Sequence, residues 1–252
     1  MRLDKYLSEK FGSRTKAAAA ISKKLVLVNG NAVSPSYEYK GGDRIDFIEA
    51  NESYVSAGGF KLSKAIKDFN FSVEGKIFAD IGASTGGFTD CLLQNGAKKV
   101  YCIDIGESQL DKSLIDKNIV IIDNFNARNL NPSLFSEELD GVVVDVSFIS
   151  LTYILEGISN ILSDGAQVLA LIKPQFECES RNVGKRGIVR GSDTHKKIIN
   201  KILDFAINCN LIPQNLTNAP IVSGKNMEYV VLLEKNAKCK IINEKLLKSV
   251  KL

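Results

Sequence analysis

Two features of the sequence predict an α/β fold with a small α+β domain in front of it. From residue 60 onward, short apolar runs rich in β-branched residues alternate with segments of helical period. Near-continuous apolar strands of this kind belong to a parallel sheet covered on both faces, a doubly wound, Rossmann-like arrangement. Over the first fifty residues the pattern differs, with two short helical stretches followed by a hairpin. At 252 residues the chain has room for one large domain and an appendage.

In chain order, Leu3, Tyr6 and Leu7 recur at helical spacing, and Ser13 is placed to cap a second helix that runs through the alanines to Ile21. In residues 25–33, alternating apolar residues flank Asn29-Gly30, a strong hairpin signal because a type I′ turn needs positive φ at both positions. A strand over 45–47 completes this unit, expected at residues 1–50. Residues 51–59 turn polar and glycine-containing and are expected to be a linker to a second domain over 60–252. Strands are predicted over 77–80, 100–104, 119–122, 142–145, 168–172 and 229–233, with helices over 61–69, 87–94, 108–116, 150–162 and 194–208. The last strand is expected to be antiparallel.

Composition removes several classes of function. Hydrophobic residues make up 44% and charged residues 25%, an ordinary soluble globular balance. No apolar run reaches the 18 or so residues of a membrane span, and the charged N-terminus lacks the apolar core of a signal peptide. Five cysteines without a C-x-x-C pair point to reduced thiols and a cytoplasmic protein. The single histidine, His195, excludes a multi-histidine metal site; flanked by lysines, it is expected to be an exposed helix residue. The net charge of +4 is concentrated in residues 1–24, where seven basic side chains face two acidic ones. Such a block is an electrostatic footprint for a polyanion.

The sharpest motif is Asp80-Ile-Gly-Ala-Ser-Thr-Gly-Gly-Phe-Thr89, a glycine-rich turn from a strand into a helix. Its spacing matches neither the dinucleotide fingerprint nor a P-loop. In doubly wound sheets, turns of this kind at the carboxyl ends of strands receive ligands. Asp104 closes the next strand and can accept hydrogen bonds from both hydroxyls of an adenosine ribose. Acid at the first strand end suits a cationic, phosphate-free cofactor such as S-adenosylmethionine better than a pyrophosphate. Asp145 and Lys173 each follow an apolar strand at the same edge, and a lysine directly after four apolar residues is poorly placed for a solvated charge. Lys61 opens an amphipathic helix, and Glu228 precedes the final strand.

These segments carry a resemblance. Arg2-Leu-Asp-Lys-Tyr-Leu7, with Ser13-Arg-Thr-Lys-Ala17 and Val26-Leu-Val-Asn-Gly30, resembles the RNA-binding fold named after ribosomal protein S-four. The glycine turn, Asp145-Val-Ser-Phe-Ile-Ser-Leu151 and Lys173-Pro-Gln-Phe-Glu177 together resemble the TlyA family of ribosomal RNA cytidine-2′-O-methyltransferases, long also labelled haemolysins. The resemblance implies an FtsJ-like methyltransferase domain with a Lys-Asp-Lys-Glu tetrad formed by Lys61, Asp145, Lys173 and Glu228. A ribose hydroxyl needs a base to take its proton, and free lysine, with a pKa of about 10.4, is protonated at neutral pH. Lys173 is the candidate base, Lys61 the cation expected to lower its pKa, and Asp145 and Glu228 the orienting partners. No metal is needed. Cofactor contacts are expected from Asp80, Gly82, Ala83, Ser84, Gly86, Gly87, Phe88 and Asp104, with Asn124 or Asn126 at the adenine.

The partner so implied is ribosomal RNA, or a ribosomal subunit carrying it. Arg2, Lys5, Arg14, Lys16, Lys23 and Lys24 are expected on phosphates, with Lys185, Arg186 and Arg190 in a second basic segment beside the target nucleotide. The target is expected to be reached by shape recognition and extrusion of its base. The N-terminus at Met1-Arg2 looks like that of the shorter family members, which act on the large subunit. Two rival readings are a membrane-active haemolysin, which no long amphipathic segment supports, and a non-catalytic RNA-binding protein that keeps the fold.

Overall fold

The computed structural model describes residues 1–22, 25–47, 53–115, 117–179, 183–184, 187–222, 224–238 and 243–252, which divide into two compact units, Met1–Ser53 and Tyr54–Leu252. The first unit contains α1 (Leu3–Tyr6), α2 (Arg14–Ser22), β1 (Val26–Val28), β2 (Asn31–Ala32) and β3 (Ile45–Phe47). Its antiparallel sheet has the order β2-β1-β3. Ser13 Oγ accepts the Lys16 amide at 3.1 Å, and Asn29 and Gly30 take φ of 52° and 76°, the paired positive angles of the expected turn. Leu3, Leu7, Ala17, Ile21, Val26 and Val28 form its small core.

The second unit begins with α3 (Ala57–Phe69), so residues 57–59 of the expected linker are instead its first turn. There follow β4 (Ile77–Ile81), α4 (Gly87–Gln94), β5 (Lys99–Ile103), β6 (Ile119–Ile122), β7 (Gly141–Val144), α5 (Leu155–Asn160), β8 (Gln167–Ile172), α6 (Pro174–Glu177), α7 (Ser192–Asn208), β9 (Leu211–Asn218), β10 (Tyr229–Lys235) and α8 (Asn243–Leu247). The sheet order is β6-β5-β4-β7-β8-β10-β9; β4 to β8 run parallel and β10 is antiparallel to both neighbours. Alternate residues of the strands feed two cores. Ile77, Ala79 and Ile81 join Ile158, Ile199 and Ile202 of α5 and α7, while Phe78 joins Leu62 of α3 and Leu92 of α4. This double coverage explains the unbroken apolar strands.

The structure departs from the sequence expectation elsewhere too. The helix expected over 108–116 is reduced, among the described residues, to a 3₁₀ turn at Lys112–Leu114; Ser108, with φ of 52°, and the Asp111 side chain accepting the Ser113 amide favour turns over a helix. The helix expected over 150–162 is a 3₁₀ turn at Leu151–Tyr153 followed by α5. Strand β9 was not expected, because Pro213 and three amides mask its period; Pro213 is tolerated on an edge strand, opposite Leu233 where the ladder shifts register. His195 is buried, at 4% exposure, because α7 turns it toward the sheet. Its Nδ1 meets the Tyr229 hydroxyl at 2.8 Å, and its Nε2 meets the Val189 carbonyl at 3.2 Å. A carbonyl only accepts, so Nε2 carries the proton and the tyrosine donates to Nδ1.

Candidate active site

The carboxyl ends of β4, β7 and β8 gather the chemistry-bearing residues. Each strand stops where its apolar run stops, and the parallel register sets the ends side by side: Ile81 pairs with Val144, and β8 runs on to Ile172 past Ala170, the partner of Val144. The turn after β4 passes through Gly82 (φ 84°), Ser84 (φ 47°) and Gly86 (φ 89°) before α4 begins. At Gly82 a Cβ would lie 2.7 Å from the Asp145 carbonyl oxygen, and at Gly87 one would lie 2.1 Å from Ser56 Oγ. The glycines therefore let three segments close together: the turn, the end of β7 and the start of α3.

The cleft at this junction is walled by Gly82, Ala83, Ser84, Thr85, Gly87 and Phe88 on one side, by Asp145, Ser147 and Lys173 on another, and by Ser56 and Gly58 from the approach to α3. Five of the expected cofactor residues and two of the expected tetrad line it. Asp104 sits at its edge and fixes the turn, with Oδ2 accepting the Ser84 amide and Oδ1 the Gly106 amide, both at 2.8 Å. Asp80 is not on the wall. Its carboxyl lies wholly buried beneath the turn, where Oδ2 accepts the Thr89 hydroxyl at 2.7 Å and Oδ1 has no hydrogen-bond partner. Desolvation, with Asp145 nearby, pushes this carboxyl up to about 7. Gly86 packs against Leu114 and Leu110 rather than the cleft. Asn124, at φ 57°, shapes the turn after β6, and the Asn126 side chain accepts the Arg128 amide; neither forms part of the cleft wall.

Lys173 follows β8 directly and is 8% exposed. Its Nζ lies 2.5 Å from Asp145 Oδ1, a charge contact outside ordinary hydrogen-bond geometry, and it donates to Ser147 Oγ at 2.8 Å. Lys61, one turn into α3, pairs with Glu228 at 2.6 Å. Tyr229 faces Ile172 in the β10–β8 ladder, so Glu228 and Lys173 lie at the same end of it. The four expected charges thus form two ion pairs, each lysine with its own carboxylate.

Sequence reasoning missed four features of this site. Ser56 and Gly58 were assigned to a linker. Ser147 lay inside a quoted motif without a role. Glu177, 6% exposed, joins the two motifs: its carboxylate accepts the Ser150 hydroxyl at 2.5 Å and the Leu151 amide at 2.8 Å. Burial raises its pKa above the usual carboxylate range. Phe148 stands 91% exposed at φ 64°, its ring 5.0 Å from that of Phe176. A bulky residue held in the left-handed region is a strain that clusters at functional sites.

The cleft suits S-adenosylmethionine. The turn from Gly82 to Phe88 carries no cation for a pyrophosphate, the orphaned oxygen of Asp80 lies beneath it, and Asp104 keeps acceptor capacity beyond its two amides. Among the described residues, no group of three or more His, Cys, Asp or Glu is arranged to hold a metal ion.

In the first unit, Arg2 and Arg14 both contact Asp4, at 2.8 and 3.3 Å, and these guanidinium groups, Arg2 foremost, hold its carboxyl down at about 2. Lys5 and Lys16 are exposed, as is Arg190 in the second unit. Lys23, Lys24, Lys185 and Arg186 lie outside the described residues.

Comparison with known proteins gives matches over the whole chain. The family model for FtsJ-like methyltransferases matches residues 54–235, and that for the S4 domain matches residues 1–45. Hemolysin A of Brachyspira hyodysenteriae is 46% identical over 236 residues, covering 91% of this chain and 98% of that protein. The 23S rRNA (cytidine-2′-O)-methyltransferase TlyA of Campylobacter jejuni is 30% identical over 264 residues, covering 94% and 100%. A solved structure from Streptococcus thermophilus, carrying a provisional hemolysin label, superposes with a TM-score of 0.76 at 37% identity, covering 99% and 94%.

Proposed function

The chain belongs to the FtsJ-like methyltransferase family, and on that footing we propose that it methylates the 2′-oxygen of a cytidine in large-subunit ribosomal RNA. The observation that carries this reading is the Lys173–Asp145 pair standing on the wall of the cleft that the glycine turn closes. S-adenosylmethionine, when bound, supplies an electrophilic methyl group on a sulfonium. Gly82, Ala83, Ser84, Gly87 and Phe88, with Asp104 at the edge, would hold it. Lys173 takes the proton of the ribose hydroxyl as the oxygen attacks, which it can do only from its neutral form. Asp145 fixes the lysine head, and the Lys61–Glu228 pair sits at the same end of the β8–β10 ladder to orient the ribose.

Phe148 offers an exposed aromatic face next to Ser147, which the Lys173 amine contacts, suited to stacking on an extruded nucleobase. The first unit, an S4 domain, brings Arg2, Lys5, Arg14 and Lys16 to RNA phosphates, with Lys23 and Lys24 expected to join them. Lys185, Arg186 and Arg190 are assigned to RNA beside the target. Ribosomal RNA as substrate places the protein in the cytoplasm.

The test is to map 2′-O-methylated cytidines in large-subunit RNA exposed to the protein or to Lys173→Ala. The wild type should add a methyl that the variant does not, with transfer falling at least 100-fold while calorimetric affinity for S-adenosylmethionine stays within a few-fold. A variant that methylates at the wild-type rate would remove Lys173 from the mechanism.

A second reading, membrane lysis, rests on the name of the Brachyspira relative. Among the described residues, no helix is long and apolar enough to cross a membrane. Lysis of erythrocytes by purified Lys173→Ala protein at the wild-type level would establish that activity apart from methyl transfer.

A further inference from the structure

We propose that Ser147 is a positioning residue that aims the free lone pair of Lys173 into the cleft, an inference that rests on Lys173 being the base. A neutral lysine head carries two N–H groups and one lone pair. Ser147 Oγ accepts from it at 2.8 Å, and the charge of Asp145 Oδ1 lies 2.5 Å away without hydrogen-bond geometry. With one N–H held by Ser147 and the carboxylate charge repelling a lone pair from its own side, the lone pair is left the direction away from both, and all three residues line the cleft. With Asp145 alone, the amine is free to rotate about its Cε–Nζ bond. Water in place of the serine could also donate to the lone pair and block it.

The backbone around Ser147 is built to hold its hydroxyl still. The Asp145 amide is tied to the Ile81 carbonyl at 3.0 Å, and the Leu151 amide and Ser150 hydroxyl are tied to the buried Glu177 carboxylate. Between these anchors, Phe148 takes its left-handed conformation. Ser147 itself is exposed apart from this contact, so its place is not explained by packing. Its hydroxyl is two residues from Asp145, which puts the acceptor and the charge partner of the amine on one clamped turn.

The test uses the full-length protein, S-adenosylmethionine and unmethylated large ribosomal subunits as substrate. Ser147→Ala should lower kcat about 10-fold, with KM for cofactor and for subunits within about twofold of wild type. Ser147→Thr, which keeps the acceptor on an exposed turn with room for a methyl group, should restore most of kcat. A Ser147→Ala enzyme within twofold of the wild-type kcat would overturn the proposal, as would an equal loss in the Thr and Ala variants. Lys173→Ala, assayed alongside, separates the two levels. If it is active, the base assignment falls and takes this inference with it. If it is inactive while Ser147→Ala is fully active, only the role of Ser147 falls.

Discussion

Asp80 carries its carboxyl wholly out of water beneath the glycine turn, with one oxygen on Thr89 and the other unpartnered. Burial raises this group to about 7, whereas in the unfolded chain it titrates near the usual value of about 4. The folded state therefore holds a proton that the unfolded chain has already released. The stability this contributes is complete below about pH 4 and is lost as pH rises through about 7. Asp80→Asn should flatten the fall in unfolding free energy across that window, by an amount on the order of a few kcal/mol, in denaturant titrations at several pH values. Asp80 was expected to touch the cofactor because its motif ends a strand at the ligand edge. A strand's last residues alternate between faces, and this one turns under the turn toward Thr89, which sequence position alone does not show.

At the scale of elements, the turn from β4 to α4 is the critical join. Gly82 sits at φ 84° with the Asp145 carbonyl where a Cβ would go. Gly82→Ala should thus push the turn away from the end of β7 and weaken S-adenosylmethionine binding at least 10-fold by calorimetry, while Gly41→Ala in the first unit, with open space and no positive φ, leaves affinity unchanged. Most strands were legible because both faces of the parallel sheet are buried and the apolar runs are unbroken. β9 was not, since an edge strand needs no such run and can carry Pro213 at a register shift. The helix α7 was legible in extent but not in orientation: His195 among lysines suggested solvent, yet it faces Tyr229, whose hydroxyl it binds. A period identifies an amphipathic helix, but a lone polar residue near its face boundary finds its partner only across the fold.

At the scale of the whole molecule, the chain joins a small basic domain to a methyltransferase domain, each with its own core. Its binding to ribosomal RNA should weaken with salt, with a log–log slope of roughly −4 if about five cations meet phosphates. Replacing Lys5 and Lys16 together by alanine should flatten that slope by about 1.5 in filter-binding titrations between low and moderate salt. The two arginines of the same unit share the Asp4 carboxylate, so part of their charge is already answered within the protein.

Local sequence sufficed for the alternation of strands and helices, the parallel sheet and the residue types of the site, because apolar period, turn-forming glycines and charges set after apolar runs are all properties of short segments; the domain types came with the family resemblance. Packing settled what no segment contains. Lys61 pairs with Glu228, and Lys173 with Asp145; Ser56 and Gly58 leave the expected linker to wall the cleft; Glu177 clamps one motif to the other. Each of these depends on chain segments far apart in sequence arriving at one sheet edge, and a contact energy between such segments exists only once the strands are in register.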